Sequence, residues 1–203
     1  MRHWLAQRWL WWALLGLLAW PALSLLQGAL ANTLGANPAE VLIRSTGDWT
    51  LRALCLVLAV TPARIWLGQP LLARYRRLLG LTVFVYAFLH LLGYAWLDMG
   101  LDLAEIGRDI AKRNFILVGF AAFVLLLAMA LTSFNRAIRA LGARRWQALH
   151  RSVYAVAGLG LLHFFWMRSG KQDFAEVAVY AALLAALLGW RLWRALRQRM
   201  GRA

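Results

Sequence analysis

The segments VFVYAFLHLLGYAW (residues 83–96) and WQALHRSVYAVAGLGLLHFFW (residues 146–166) decide the fold class, because each is an apolar run that carries histidine. A bilayer core about 30 Å thick needs roughly 20 residues of helix, since each residue adds about 1.5 Å. Both segments belong to stretches of that length, so we predict that they cross a membrane. Three of the four histidines, His90, His150 and His163, then fall in membrane-spanning segments.

The rest of the chain has the same character. Of its 203 residues, 63% are hydrophobic and only 15% are charged, whereas about 25% is usual in a soluble domain. Six apolar stretches reach or approach spanning length, at about 9–27, 49–67, 79–97, 114–133, 147–167 and 175–194. We predict an all-α fold, with residues 1–203 forming a single domain that is a bundle of six transmembrane helices.

The net charge of +15 is distributed by side of the membrane. If the amino terminus is cytoplasmic, 16 of the 23 Lys and Arg residues fall on the inner side and all eight acidic residues fall on the outer side. This asymmetry follows the positive-inside rule and predicts two cytoplasmic termini. A nucleic-acid-binding protein would not sort its basic residues in this way, so we predict a lipid bilayer as partner and no nucleic acid.

The amino-terminal part leaves one alternative open. The first apolar stretch has a basic start and small residues near its end, as a cleaved signal peptide would, but its length favours a retained helix. Pro21 inside it is tolerated if a neighbouring helix satisfies the backbone carbonyl that proline frees. The segment that follows is expected to be a loop, with Thr46-Gly47-Asp48 capping the second helix.

Two connecting segments also carry expectations. In the outer segment DMGLDLAEIGRDIAKRN (98–114), Ile106 and Ile110 lie at helical spacing, which predicts a short amphipathic helix on the outer surface. The segment NRAIRALGARRW (135–146) is predicted to be a basic cytoplasmic loop. The fifth spanning helix after it would then carry both His150 and His163.

The histidines are the candidate functional residues, because an ionisable side chain at membrane depth is costly and marks a site by default. Neutral imidazole is a common axial ligand of haem iron. His90 lies about 10 Å and His163 about 6 Å from the outer ends of their helices, so these two are predicted to bind one haem iron between them. His150 lies roughly 20 Å deeper and cannot bind that iron, but is a candidate ligand of a second haem.

A second haem lacks an obvious partner ligand. The positions on the third helix that would face His150 hold Arg76 and Arg77, which can instead meet an anion such as a haem propionate, a flavin phosphate or a lipid headgroup. The histidines could also be interhelical hydrogen-bond donors, and His150 could simply be interfacial. His3 is not expected to belong to a site, and no catalytic residue is predicted.

Five segments, taken in order, resemble a known family: LAVTPARIW (58–66), RRLLGLTVFVYAFLHLLGY (76–94), DIAKRNFILVG (109–119), LTSFNRAIRALGARRWQALHRSVY (131–154) and HFFW (163–166). They are similar to the haem-binding membrane subunit of the periplasmic methionine sulfoxide reductase system, a branch of the ferric-reductase-like transmembrane group. The resemblance is close over about residues 45–170. Larger relatives carry two histidines on each of two helices, whereas the third helix here carries only His90.

The resemblance implies an electron conduit in the bacterial inner membrane, a redox subunit rather than the catalytic reductase. It implies electrons from membrane quinone, b-type haem (one, or two if His150 is a ligand) and FMN as cofactors. The partner would be a periplasmic molybdopterin-containing methionine sulfoxide reductase subunit. By position, His90 and His163 match the family's haem histidines and His150 matches a third. The alternatives are a transmembrane ferric reductase and a non-redox structural or transport membrane protein.

Overall fold

The computed structural model describes residues 7–170 and 172–201, so His3 lies outside the described residues. These residues form helices and turns without a strand, which confirms the all-α prediction for them. A 3₁₀ segment, Pro70–Tyr75, leads into the third helix, and a π-helical turn, Tyr94–Asp98, follows it. The α-helices are α1 Arg8–Leu30, α2 Pro38–Trp66, α3 Arg76–Gly93, α4 Leu103–Lys112, α5 Asn114–Leu131, α6 Asn135–His150, α7 Val153–Ser169 and α8 Ala175–Met200.

Five helices in the described part of the chain are long and apolar enough to cross a membrane. They are α1, α2, the segment Pro70–Asp98 that contains α3, α5 and α8. The sixth expected span corresponds to α7, which has 17 residues and is therefore about 25 Å long. The chain thus has the character of a multi-pass membrane protein, and the count of six spans stays a prediction.

One buried core joins five of the helices. It is formed by Leu54 of α2, Val83 of α3, Leu126 of α5, Ala157 of α7 and Leu184 of α8, together with their neighbours. Many large apolar side chains on the opposite helix faces are exposed, among them Leu17, Trp20, Leu23, Leu26, Val85, Phe88, Val179 and Leu183. This distribution fits a bundle surrounded by lipid, because lipid tails are as apolar as leucine side chains.

α1 is fastened to α3 at its proline. Pro21 has no N–H group to donate within the helix. One residue further on, the hydroxyl of Tyr86 in α3 accepts a hydrogen bond from the Ala22 N–H (3.2 Å) and donates one to the Leu18 carbonyl (2.7 Å). Leu18 also packs against the cluster formed by Val60, Leu78 and Leu79. A side chain of a neighbouring helix therefore satisfies two backbone groups beside Pro21. The carbonyl that proline frees is that of Leu17, four residues earlier, and the expectation for it stays a prediction.

The predicted start of the second helix is wrong. α2 begins at Pro38, where Asn37 caps it by accepting a hydrogen bond from the Glu40 N–H (3.2 Å), so Thr46-Gly47-Asp48 lies inside the helix. The polar residues of this part lowered its apolar character, but they pair along the helix, as the Arg44–Glu40 ion pair does at 2.8 Å. Pairs four residues apart stabilise a helix.

The prediction of a loop at 135–146 is also wrong, because these residues belong to α6, which is broken at Gly142 by a positive φ of 72°; their cytoplasmic placement stays a prediction. His150 ends α6, and Arg151 and Ser152 form a turn before α7 begins at Val153. His150 and His163 therefore lie on different helices, contrary to expectation. The short amphipathic helix predicted for the outer segment is confirmed as α4, which Asp102 caps through two hydrogen bonds of 2.9 Å.

Candidate functional site

His90 lies against the backbone of α2. Its Nδ1 donates a hydrogen bond to the Ile43 carbonyl oxygen at 2.8 Å. The ring sits over Gly47, where an added Cβ would lie 3.1 Å from Nδ1. Because a carbonyl oxygen only accepts, Nδ1 carries the proton and Nε2 keeps its lone pair. The lone pair of Nε2 is the group that could bind a metal ion.

His163 lies against α5 in the same way. Its Nδ1 donates to the Phe115 carbonyl oxygen at 2.6 Å. An added Cβ at Gly119 would lie 2.7 Å from Nδ1 and 2.9 Å from Cε1. In both cases the carbonyl belongs to the residue four positions before the glycine, which is one helical turn. We call each arrangement of carbonyl and glycine a histidine seat: Ile43 with Gly47, and Phe115 with Gly119.

The two seats bring His90 and His163 together. Their ring centroids lie 6.0 Å apart with an interplanar angle of 79°. Within the described residues neither Nε2 has a hydrogen-bond partner, and both rings line a cavity of about 460 Å³. The rest of its wall is mainly apolar and includes Leu54, Phe123 and Phe164. The cavity thus presents two free imidazole nitrogens to whatever occupies it.

We call this cavity the outer cavity. Its mouth toward the predicted outer side is lined by charged residues. Arg44 and Arg113 line it, and each is paired along its helix, Arg44 with Glu40 and Arg113 with Asp109, both at 2.8 Å. Tyr94 donates to Asp109 at 2.7 Å, which ties the turn after α3 to α4. The mouth is therefore polar, with both arginines neutralised by carboxylates of their own helices.

His150 is not part of this pair. Its ring stacks on Trp146 with centroids 4.1 Å apart, and its Nε2 lies 3.3 Å from the Thr132 hydroxyl. That hydroxyl gives its proton to the Ala128 carbonyl at 2.8 Å, so Nε2 of His150 is the donor. No other imidazole of the described residues lies beside it. Its role as a ligand of a second haem stays a prediction.

His150 lines a second cavity, of about 630 Å³, which we call the inner cavity. Four arginines contribute to its wall, namely Arg76, Arg77, Arg151 and Arg191. Leu54 and Leu126 line both cavities, so a layer of leucine side chains separates them there.

Sequence reasoning missed both histidine seats. Gly47 was placed in a cap and Gly119 was not considered. Gly93 also lies close to α2, since a Cβ added to it would be 3.1 Å from Cγ1 of Ile43. A glycine inside a helix costs about 1 kcal/mol relative to alanine. That cost was the available signal at Gly47 and Gly119.

Within the part of the chain that the structure describes, no group of three or more His, Cys, Asp or Glu could hold a metal ion. His90 and His163 can therefore supply two ligands, and a metal ion between them would take its remaining ligands from a cofactor or solvent.

Comparison with known proteins gives the same family over most of the chain. The family profile described as "Ferric reductase like transmembrane component" matches residues 46–161. This range includes Gly47 and Gly119 of the two seats, His90 and His150, and ends before His163. No solved structure matches the chain.

Three curated relatives are each called "Protein-methionine-sulfoxide reductase heme-binding subunit MsrQ". The relative from Polaromonas naphthalenivorans is 65% identical over 169 residues, 83% of this chain and 77% of the relative. The relative from Ralstonia nicotianae is 53% identical over 181 residues, 88% of this chain and 83% of its own. The relative from Xanthomonas campestris pv. campestris is 44% identical over 169 residues, 83% and 76% of the two chains.

Proposed function

The chain belongs to the ferric-reductase-like transmembrane family and, within it, to the MsrQ haem-binding subunits, and on that premise we propose that it is the membrane electron-transfer subunit of a methionine sulfoxide reductase. In this proposal a b-type haem is bound in the outer cavity with His90 and His163 as its axial ligands. The chain passes electrons on and does not itself reduce methionine sulfoxide.

The relation between His90 and His163 carries the proposal. A metal ion bound to two imidazole nitrogens through bonds of about 2 Å holds the ring centres about 6 Å apart, and the two centroids are separated by 6.0 Å. The volume of about 460 Å³ is within the range of about 300–1,000 Å³ for cofactor sites. The residues present therefore fit a haem clamped between α3 and α7.

The protein's part is to orient two ligands and keep water away from them. The Ile43 and Phe115 carbonyls hold the proton on Nδ1, which fixes each ring and directs the lone pair of Nε2 into the cavity. The glycines of the two seats let the rings lie flat against the neighbouring helices. A haem bound there would supply one-electron chemistry between ferric and ferrous iron, with a potential set by ligands and burial.

The direction of transfer follows from the proposed topology. We place both termini in the cytoplasm and the protein in a bacterial inner membrane with six spans, α7 being the sixth. All eight acidic residues then lie on the outer side, where Glu40, Asp48 and Asp98 line the outer cavity, and four arginines line the inner cavity. In this orientation the acidic residues face outward and the arginines of the inner cavity face the cytoplasm, as the positive-inside rule expects, and the histidine pair would lie near the periplasm.

The donor and acceptor are proposed from the family resemblance. Membrane quinone would supply the electrons, FMN would be a second cofactor, and the acceptor would be a periplasmic molybdopterin-containing reductase subunit that repairs oxidised methionine. α4 lies after the π-helical turn that follows the His90 helix, so it is the segment we expect to face this acceptor.

A visible spectrum of the purified chain with three single variants tests the proposal. The wild type should show the spectrum of a low-spin, six-coordinate b-type haem. His90→Ala and His163→Ala should each lose most of it, because both axial nitrogens are needed. His150→Ala is the matched control and should keep it. An unchanged spectrum in His163→Ala would show that the proposed pairing is wrong.

The two alternatives make different predictions. A non-redox membrane protein would contain no haem when purified. A transmembrane ferric reductase would contain haem but would deliver electrons to ferric chelates in preference to the sulfoxide reductase subunit. The names of the relatives favour neither alternative.

A further inference from the structure

Asp48 of α2 is a half-buried carboxylate at the wall of the outer cavity. It follows Gly47, the glycine of a histidine seat. Among the described residues, Asp48 makes no ion pair and no hydrogen bond. The other carboxylates that line this cavity differ, because Glu40 is ion-paired with Arg44 and Asp98 is exposed to solvent. An ionisable side chain without a counterion in a membrane protein marks a functional site by default.

Arg168 of α7 acts on Asp48 electrostatically but is bound to other carboxylates. It is ion-paired with Asp173 at 3.0 Å and with Glu176 of α8. The Nε of Arg168 is buried without a hydrogen-bond partner, so Asp48 does not reach it. Glu176 also places a like charge near Asp48. The cation that α7 brings to this region is therefore neutralised by groups other than Asp48.

The arginines of α2 itself are engaged in the same way. Arg52, one turn after Asp48, donates from its Nε to the Tyr180 hydroxyl at 3.2 Å, and Arg44, one turn before it, has Glu40 as its partner. In the described part of the chain, no cation lies within ion-pair distance of the Asp48 carboxylate. The charged groups that face Asp48 are Arg44 and Arg52 of α2, Arg168 of α7 and Glu176 of α8, and the titratable groups that share its cavity include His90, Tyr94, Asp98 and His163.

The Asp48 carboxylate is within reach of water. In the described residues, the fully buried side-chain nitrogens and oxygens without a hydrogen-bond partner are the Nε atoms of Arg168 and Arg191. The oxygens of Asp48 are not among them, although they too have no partner, so they remain accessible. The outer cavity also has a polar mouth. A proton can therefore reach Asp48 from the solvent at that mouth.

An electron that enters the outer cavity changes the charge beside Asp48. The cavity wall is mainly apolar, and charges interact more strongly in such a setting than in water. Both imidazoles are neutral, because each carries its proton on Nδ1 and has a free Nε2. The histidines therefore do not balance an added negative charge. A nearby carboxylate does, because it binds a proton more readily when negative charge is added beside it.

We propose that Asp48 binds one proton when a haem iron in the outer cavity is reduced, and releases that proton when the iron is oxidised. The inference rests on the proposed function, which supplies the haem and the electron donor. One electron converts ferric to ferrous iron, and one proton from water at the mouth neutralises the Asp48 carboxylate. The net charge of the cavity is then the same before and after reduction. Asp48 thereby links the potential of the site to the pH on the outer side.

The midpoint potential of the haem as a function of pH tests the proposal. The purified full-length chain in nanodiscs is titrated with redox mediators from about pH 5 to about pH 9, and the visible spectrum gives the reduced fraction. In the wild type, the potential should fall as pH rises over part of this range, by up to about 59 mV for each tenfold decrease in proton concentration. In Asp48→Asn, it should stay near the acid-side value of the wild type at every pH, because asparagine resembles the uncharged acid.

Three further variants separate proton binding from a structural role. Asp48→Glu keeps a carboxyl group and should retain the pH dependence. Asp98→Asn neutralises the exposed carboxylate of the same cavity and is the matched control, which should titrate as the wild type does. Glu176→Gln removes the like charge and frees one end of Arg168, so it should move the pH-dependent range to lower pH.

Two results would overturn the inference. The first is a wild-type potential that does not change with pH. The second is a potential in Asp48→Asn that falls with pH as in the wild type, which would assign the proton to another group, such as a haem propionate. If Asp48→Asn alone loses its haem spectrum, Glu176→Gln decides, and an unmoved pH range in that variant contradicts the proposal. Absence of a haem spectrum from the wild type would instead refute the proposed function itself.

Discussion

Gly119 and His163 are fitted to each other so closely that a single methyl group would separate them. The imidazole Nδ1 lies 2.7 Å from the position that a Cβ would occupy on Gly119, and the same nitrogen donates to the Phe115 carbonyl one turn earlier. α5 therefore holds the ring of α7 by its backbone alone. The orientation of His163 depends on the absence of a side chain at residue 119.

Gly119→Ala is expected to reduce haem retention at least about tenfold, equivalent to about 1.4 kcal/mol or more. The added methyl group displaces the His163 ring from the Phe115 carbonyl, and the ring is one of the two proposed ligands. Haem content per protein, measured from the pyridine haemochrome spectrum, checks this. Gly158→Ala, on the His163 helix where nothing lies within 4 Å, should retain wild-type haem. Equal haem content in the two variants would contradict the conclusion that Gly119 is needed to orient His163.

Topology gives the second prediction. In a Cys55→Ala background, a cysteine at position 105 should react with a membrane-impermeant maleimide added outside intact cells, and one at position 139 should not. Both positions are exposed on the protein, so accessibility reports the side of the membrane. Permeabilised cells provide the control, since both cysteines should then react. The opposite pattern in intact cells would reverse the proposed direction of electron flow.

α4 gives the third prediction. Asp102 caps this helix, so reversing its charge would remove the cap and destabilise the helix, and Glu105 is the better site for a charge change. Glu105→Lys should slow electron transfer to the periplasmic reductase subunit and weaken its dependence on salt, because exposed charges steer transient encounters.

Lys112→Glu is the matched control for that change. It reverses an exposed charge at the other end of α4 and disturbs the helix dipole similarly, yet should not slow transfer. Stopped-flow rates at several ionic strengths distinguish the two variants. Identical rates for Glu105→Lys and wild type at every salt concentration would place the docking surface elsewhere.

Tyr86→Phe should lower the free energy of unfolding by about 1–3 kcal/mol, because two buried backbone groups of α1 would lose their partner. The Leu18 carbonyl and the Ala22 N–H both bond this hydroxyl. Unfolding in mixed micelles with increasing SDS measures the change. Tyr180→Phe removes a hydroxyl that accepts from the exposed Arg52 and should cost far less. Equal losses of unfolding free energy in the two variants would mean that the Leu18 and Ala22 backbone groups find other hydrogen-bond partners when the Tyr86 hydroxyl is absent.

Apolar length was sufficient to predict the five helices of the described residues that are long and apolar enough to span, because lipid imposes the same thickness on each of them. Apolar length could not show that α2 starts at Pro38, because Glu40, Arg44 and Asp48 make the first turns of this helix polar. The start is instead indicated by Asn37, which caps the helix, and by Pro38 in its first turn. The error concealed Gly47, which looked like a cap residue. The capping residues alone, without regard to hydropathy, would have predicted the start of α2 and so placed Gly47 inside the helix.

Depth along ideal helices was sufficient to pair His90 with His163, because both lie near the outer ends of parallel helices. It could not foresee the turn at Arg151 and Ser152 that puts His150 on α6. The hydrogen-bond partner of each histidine Nδ1 also could not be predicted from the sequence. A backbone carbonyl carries no residue signature, so a hydrogen bond to the Ile43 or Phe115 oxygen is visible only once the helices are packed.

The hydroxyl bridge at Pro21 has a consequence for biosynthesis. α1 leaves the ribosome before Tyr86, because the hydroxyl that bridges the Leu18 carbonyl and the Ala22 N–H is 64 residues further along the chain from Ala22. Until α3 has been synthesised, these two groups, which are four residues apart, can bond only each other, as in a regular helix. The final geometry of the first helix beside Pro21 is therefore set only when the third helix is present.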